Sequence, residues 1–170
     1  MSKKILIIGG TGFIGHYFAK KCIKENLNVT SISRSKPLKE RFLKKVKYIF
    51  TDITNKKKLY SKLSDKYNYI INFGGDVDHH GKKTFNSHHN GCKNLAEYFK
   101  KKDIEKFIQI GSSVEYGKLK SPHVESKLEL NINNMDSIYA KAKLKTSKYL
   151  LALYKKKKFP VTIFRIYLAY

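Results

Sequence analysis

Short, almost continuously apolar runs alternate along this chain with longer stretches in which apolar residues return at helical spacing. Six strands are predicted: Lys4–Ile8, Val29–Ser33, Val46–Thr51, Tyr69–Phe73, Lys106–Ile110 and Val161–Ile166. A run such as Ile5-Leu6-Ile7-Ile8 lacks the apolar/polar alternation of a half-wet strand, so it reads as a parallel strand covered on both faces. After the first strand, Ile14, Phe18 and Ile23 share one helical face. A short helix is predicted over Asn55–Lys66, with Leu59 and Leu63 at i, i+4. Longer helices are predicted over about Thr84 to Lys101, including Leu95 and Phe99, and about Ser137 to Lys157, with Leu144, Leu151 and Tyr154 inward. Strand–helix–strand alternation with right-handed crossovers implies a doubly wound parallel α/β sheet. The segment Gly117–Met135 has the weakest periodicity and is expected to be a surface loop beside the site.

The first turn narrows this architecture. Gly9-Gly10-Thr11-Gly12-Phe13-Ile14-Gly15 follows a buried strand and opens a helix. Glycines at this spacing allow a tight turn and a close approach of backbone to a pyrophosphate. The helix N-terminus adds free N–H groups and partial positive charge. Gly9, Gly12, Phe13, Ile14 and Gly15 are therefore candidate dinucleotide contacts, and the strand order expected of a Rossmann fold is 3-2-1-4-5-6.

Composition changes the picture little. The 170 residues suffice for one domain with a real core. No apolar run reaches membrane-spanning length, and Lys3-Lys4 precede too short an apolar run for a signal peptide. Cys22 and Cys92 form no disulfide framework or zinc signature, and a reduced cytoplasmic setting fits. The formal charge of +23 raises a polyanion-binding reading. Against it, only Arg34, Arg41 and Arg165 are arginines, and the lysines are spread over every predicted element. Forked contacts to phosphate and guanine favour arginine. Solvated lysine faces are the better account, and no specific nucleic acid or membrane partner is expected.

The strand ends carry the chemistry. Ser33-Arg34-Ser35 follows strand 2, where NAD-binding folds present an acid to the adenosine ribose. A hydroxyl and a guanidinium suit a 2′-phosphate instead, so NADP is expected over NAD, with Ser33 and Arg34 as contacts. Asp52-Ile53 follows strand 3, where Asp52 can accept from the adenine amine or cap the next helix. Tyr139 and Lys143 are i, i+4 on the last long helix. An ammonium beside a phenol lowers its pKa and makes a usable general acid/base. Ser112 and Ser113 end strand 5 at the edge where open α/β sheets bind ligands. Either hydroxyl can hold a substrate oxygen or cap a turn.

Together these motifs resemble the extended short-chain dehydrogenase/reductases, the NAD(P)-dependent nucleotide-sugar epimerases, dehydratases and reductases. The residues that carry the resemblance are Gly9–Gly15, Ser112-Ser113-Val114-Glu115-Tyr116-Gly117 and Tyr139-Ala-Lys-Ala-Lys143, with Gly91, Asn94, Leu95 and Arg165 to Tyr170 in support. The resemblance implies Ser112, Tyr139 and Lys143 as catalytic residues, Lys143 also binding the nicotinamide ribose. It places Gly74 on the nicotinamide side of the pocket and implies a homodimer paired through the helices near 84–101 and 137–157. In 4,6-dehydratases of the family an acid stands two residues after the catalytic hydroxyl. That position is Val114 here, with Glu115 out of register, so an epimerase or keto-reductase is expected. His88 stands where the family has Asn, and Asn72 with Gly74-Gly75 where it has His and an Ala pair.

Asp78-His79-His80 and His88-His89 do not complete a metal spacing, and no metal is expected. They are read first as surface histidines, with His79 or His80 in the substrate pocket as the functional alternative. The family runs to about twice this length in the resemblance. The chain is therefore expected to be a dinucleotide-binding domain over 1–170, lacking the last strand and the lobe that grips the nucleotide sugar. A non-catalytic NADP(H)-sensing module is the alternative, and an intact Ser112, Tyr139 and Lys143 argues against it.

Overall fold

A computed structural model describes the chain except residues 1, 64–65, 77, 79–80, 126–129 and 168–170 and the side chain of Lys82. Its six strands are β1 (Lys4–Ile8), β2 (Asn28–Ser33), β3 (Val46–Phe50), β4 (Tyr69–Asn72), β5 (Lys106–Ser112) and β6 (Val161–Ile166). All neighbours are parallel, in the order β3-β2-β1-β4-β5-β6. The helices are α1 (Phe13–Lys24), α2 (Lys56–Lys62), α3 (Lys82–Phe85), α4 (Gly91–Phe99) and α5 (Ile138–Lys157). A π-helical stretch, Asn86–Asn90, joins α3 to α4.

The continuous apolar strands are explained by two cores, one per sheet face. Leu6 and Ile8 of β1 pack with Ile32, Ile70, Leu95, Phe99, Phe107 and Leu150. Ile5 and Ile7 point the other way, to Ala19, Cys22, Val29 and Ile71. Successive side chains of a strand leave on opposite faces, so a strand buried on both sides has no polar position to spare.

Several element details differ from expectation. The short helix stops at Lys62 with Leu63 as its C-cap, and Asn55 caps its start by accepting from Lys58 N at 3.0 Å. β5 runs on to Ser112, because Ser112 still has a partner, Ile166, on β6. On α1 the buried face is Gly15, His16, Ala19 and Cys22, while Phe18 and Ile23 only flank the core. On α5, Leu144 is inward but Leu151 and Tyr154 are exposed. The inner face there is Lys143, Leu144, Thr146, Ser147 and Leu150, a stripe with three polar members. In the Gly117–Met135 segment, Leu130, Ile132 and Met135 pack on Ala140 and Leu144 of α5.

Candidate dinucleotide and active-site cleft

The carboxyl ends of β1, β2, β3, β4 and β5 open onto one cleft of about 480 Å³. Gly9, Gly12, Phe13, Ile14, Gly15, Ser33, Arg34, Asp52, Ile53, Gly74, Tyr139 and Lys143 all line it. Gly9 has φ +80°, a conformation costly for any side chain, and its N–H donates to Ile32 O at 2.7 Å. Gly15 is required for a different reason. A Cβ there would press on the Gly9 carbonyl oxygen and stand 2.9 Å from Gly10 Cα. The first turn of α1 is thus packed directly on the loop, with its N-terminus aimed into the cleft.

At the carboxyl end of β2, Arg34 is largely exposed and its guanidinium lies 3.8 Å from the Asp76 carboxylate. Ser33 is buried, and its hydroxyl has no hydrogen-bond partner among the described residues. Asp52 does not cap α2: its Oδ1 accepts from Thr54 N at 2.8 Å in a tight local turn, while Asn55 holds the cap. Asp52 remains in the cleft wall beside Ile53.

At the other end, α5 delivers Tyr139 and Lys143. Lys143 is 6% exposed, and its Nζ donates to Ile110 O at 2.9 Å. Burial pushes its pKa down to about 8, against the opposing pull of Glu115 and Cys92. The ammonium stands 5.5 Å from the Tyr139 ring centroid. Burial pushes the Tyr139 phenol above its ordinary value, the hydrogen bond with Ser112 draws it down, and Glu115 adds to the rise. The expected lowering by Lys143 is therefore not what this arrangement produces. Burial is the largest influence on the phenol, and the ammonium donates to a backbone carbonyl.

Ser112 is buried and lies outside the cleft lining. Of the two roles weighed from sequence, the structure shows the cap. Its hydroxyl accepts from Val114 N at 3.4 Å, capping the 3₁₀ turn Ser113–Tyr116, and it also meets Tyr139. Glu115 is committed elsewhere: Oε1 accepts from Ser112 N at 2.9 Å and Oε2 from Arg165 Nε at 2.9 Å.

Neither His88 nor His89 is on the surface; they are 5% and 8% exposed. His88 lines the cleft, its ring edge-on to Tyr139 at 5.0 Å, and its Nε2 donates to Asp76 O at 2.7 Å. Its ring fills the space that a Gly75 side chain would take, so the small Gly75 and the large His88 fit together. His79 and His80 lie outside the described residues. Among the described residues no three His, Cys, Asp or Glu side chains converge as a metal site. No helix among them is long and apolar enough to cross a membrane. Sequence reasoning also passed over Thr51 and Ser87 in the cleft wall. Thr51 was findable, since it ends the strand predicted over Val46–Thr51.

The sequence matches the model of the NAD dependent epimerase/dehydratase family over residues 5–170. The chain belongs to this family. No curated protein sequence matches it. Among solved structures it is similar to UDP-glucose 4-epimerase from Thermotoga maritima, at 20% identity and TM-score 0.82, over 95% of this chain and 54% of that one. It is similar to UDP-glucuronic acid 4-epimerase from Bacillus cereus, solved with UDP-glucuronic acid and NAD, at 22% identity and TM-score 0.77, over 95% and 55%. It is also similar to dTDP-glucose 4,6-dehydratase from Bacillus anthracis in complex with NAD, at 22% identity and TM-score 0.81, over 96% and 54%. The chain spans about half the length of these structures.

Proposed function

We propose that this family member binds NADP and uses it to epimerise or reduce a nucleotide sugar, with Ser112, Tyr139 and Lys143 as the reacting group's partners. The observation that carries the reading is the convergence of a glycine cradle, a Ser33-Arg34 strand end and the Tyr139–Lys143 pair on one cleft. The cradle fits the diphosphate, since the glycine loop leaves room for it and α1 points its free N–H groups there. The unpartnered Ser33 hydroxyl and the Arg34 guanidinium suit a 2′-phosphate. The nicotinamide ring, when bound, supplies the hydride acceptor and donor. Tyr139, as the phenolate, takes the proton of the sugar hydroxyl as it is oxidised, and the resulting phenol returns it on reduction. Ser112 positions the Tyr139 hydroxyl through their hydrogen bond. Lys143, held by Ile110 O, supplies donors for the adjoining ribose. Dehydration is disfavoured, because Glu115 is buried and already paired with Arg165 and the Ser112 N–H. Pairing of two copies through α4 and α5 is part of this proposal, with exposed Leu151 and Tyr154 as apolar contact surface.

Titration of the chain with NADPH and NADH, read by ligand fluorescence, tests the cofactor half. Tighter NADPH binding is expected. Arg34→Asp should weaken NADPH by about tenfold to a hundredfold, as loss of a charge-assisted contact plus new repulsion predicts, and leave NADH nearly unchanged. A folded chain that binds neither nucleotide overturns the oxidoreductase reading.

Mixing the chain with oxidised cofactor and UDP- or dTDP-sugars, and following absorbance of reduced nicotinamide, tests the chemistry. Tyr139→Phe should slow that step about a hundredfold, the low end for losing a general acid/base, with nucleotide affinity unchanged. An equal rate in the variant would remove Tyr139 from the reaction.

A further inference from the structure

The adenosine end of the cleft holds a second buried hydroxyl besides that of Ser33. Thr51 directly follows β3, and its N–H extends the ladder by donating to Ser33 O at 3.0 Å. The residue is part of the cleft wall, with Ser33, Arg34 and Asp52. The residue is 5% exposed, yet its hydroxyl has no hydrogen-bond partner among the described residues. A buried hydroxyl with no partner costs stability, and valine has the same shape without that cost. Such a group in the wall of a ligand cleft finds its partner in the ligand.

Building on the NADP preference above, we propose that Thr51 is a specificity-determining residue whose hydroxyl donates to the 2′-phosphate of the adenosine ribose. Three observations favour this partner. The Thr51 and Ser33 hydroxyls are both unpartnered among the described residues, and the two residues are joined by the Thr51 N–H to Ser33 O bond at the cleft wall. A hydroxyl donor matches the acceptor-only oxygens of a phosphate. Arg34 supplies the charge there but is mostly exposed and stands near the Asp76 carboxylate, so buried donors are needed to fix the anion's position.

The test is calorimetric titration of the intact chain and its Thr51→Val and Thr51→Ser variants with NADPH and NADH, alongside thermal unfolding. Thr51→Val should weaken NADPH about tenfold, the usual loss for a hydrogen bond to a charged group, and change NADH by less than about twofold. Thr51→Ser should keep most of the NADPH affinity. Unfolding of the Thr51→Val chain without nucleotide should come at the same or higher temperature, whereas a structural hydroxyl would lower it. Thr51→Ala repeats the comparison with a smaller side chain if Thr51→Val does not fold. Equal loss for both nucleotides, or no loss, overturns the assignment. NADPH preference that Arg34→Asp abolishes and Thr51→Val does not touch overturns it alone; a native chain that prefers NADH overturns it together with the NADP reading.

Discussion

Gly15→Ala is expected to abolish dinucleotide binding and to destabilise the chain by at least about 3 kcal/mol, the upper range for overpacking a site that cannot give way. The reason is what the added methyl would meet. At Gly74 it would touch the Ile8 and Asn72 side chains, which can turn aside. At Gly15 its nearest neighbours are main chain, the Gly9 carbonyl and Gly10 Cα, in the loop proposed to cradle the diphosphate. Relief requires α1 to move away from that loop, and the N–H groups of its first turn then miss the ligand. Losing two hydrogen bonds to a charged diphosphate corresponds to about 4 kcal/mol, or roughly a thousandfold in affinity. Gly12→Ala is the control. Its Cβ would have one neighbour inside 4 Å, Gly9 O at 3.3 Å, and its φ of −75° is open to any residue. Its stability should stay within about 1 kcal/mol of the native chain, the size of an N-cap change. Urea unfolding of the three proteins, with NADPH titration of each, separates the cases; equal stabilities for Gly12→Ala and Gly15→Ala would show that the loop yields.

The sheet was legible because its signal is local. Ile5-Leu6-Ile7-Ile8 needs two covered faces, and two cores meet it there. The glycine loop was legible because Gly9 takes a left-handed backbone and Gly15 has no room for a side chain. The inward face of α5 was misread for a physical reason. Lysines surround the helix on every side, so no polar stripe marks the wet face, and Lys143, Thr146 and Ser147 are buried for the contacts they make rather than for hydrophobicity. The burial of His88 and His89 was missed for a related reason. Their setting is a π-helical stretch, and His88 sits in space that Gly75 leaves open some way back along the chain. That complementarity has no periodicity to read. The Tyr139–Lys143 pair was found from its spacing, but its electrostatics were not, since burial depends on the third dimension and is the largest influence on the phenol.

The same two histidines lead to the second large effect, a loss of stability on mild acidification. Burial lowers the His88 pKa to about 4, with the Lys143 charge acting in the same direction. Burial likewise lowers His89 to about 4, helped by Lys145 and Lys93. Unfolded histidine titrates near 6.5. Between about pH 6.5 and pH 4 the unfolded chain therefore holds more protons than the folded one, and stability must fall as pH falls through that window. A shift of this size corresponds to about 3 kcal/mol for His88 alone, with His89 adding to the same slope. Carboxylates held low by lysine partners, such as Glu105 at about 2, lose their contribution only at lower pH, so the two effects separate along the axis. Urea unfolding from pH 7 to pH 4 should show this decline in the native chain. His88→Asn and His89→Gln together should flatten it, because neither replacement takes up a proton. A native chain whose stability is level from pH 6.5 to pH 4.5 would mean that both rings take up protons while folded. The burial of the two rings would then not hold in solution.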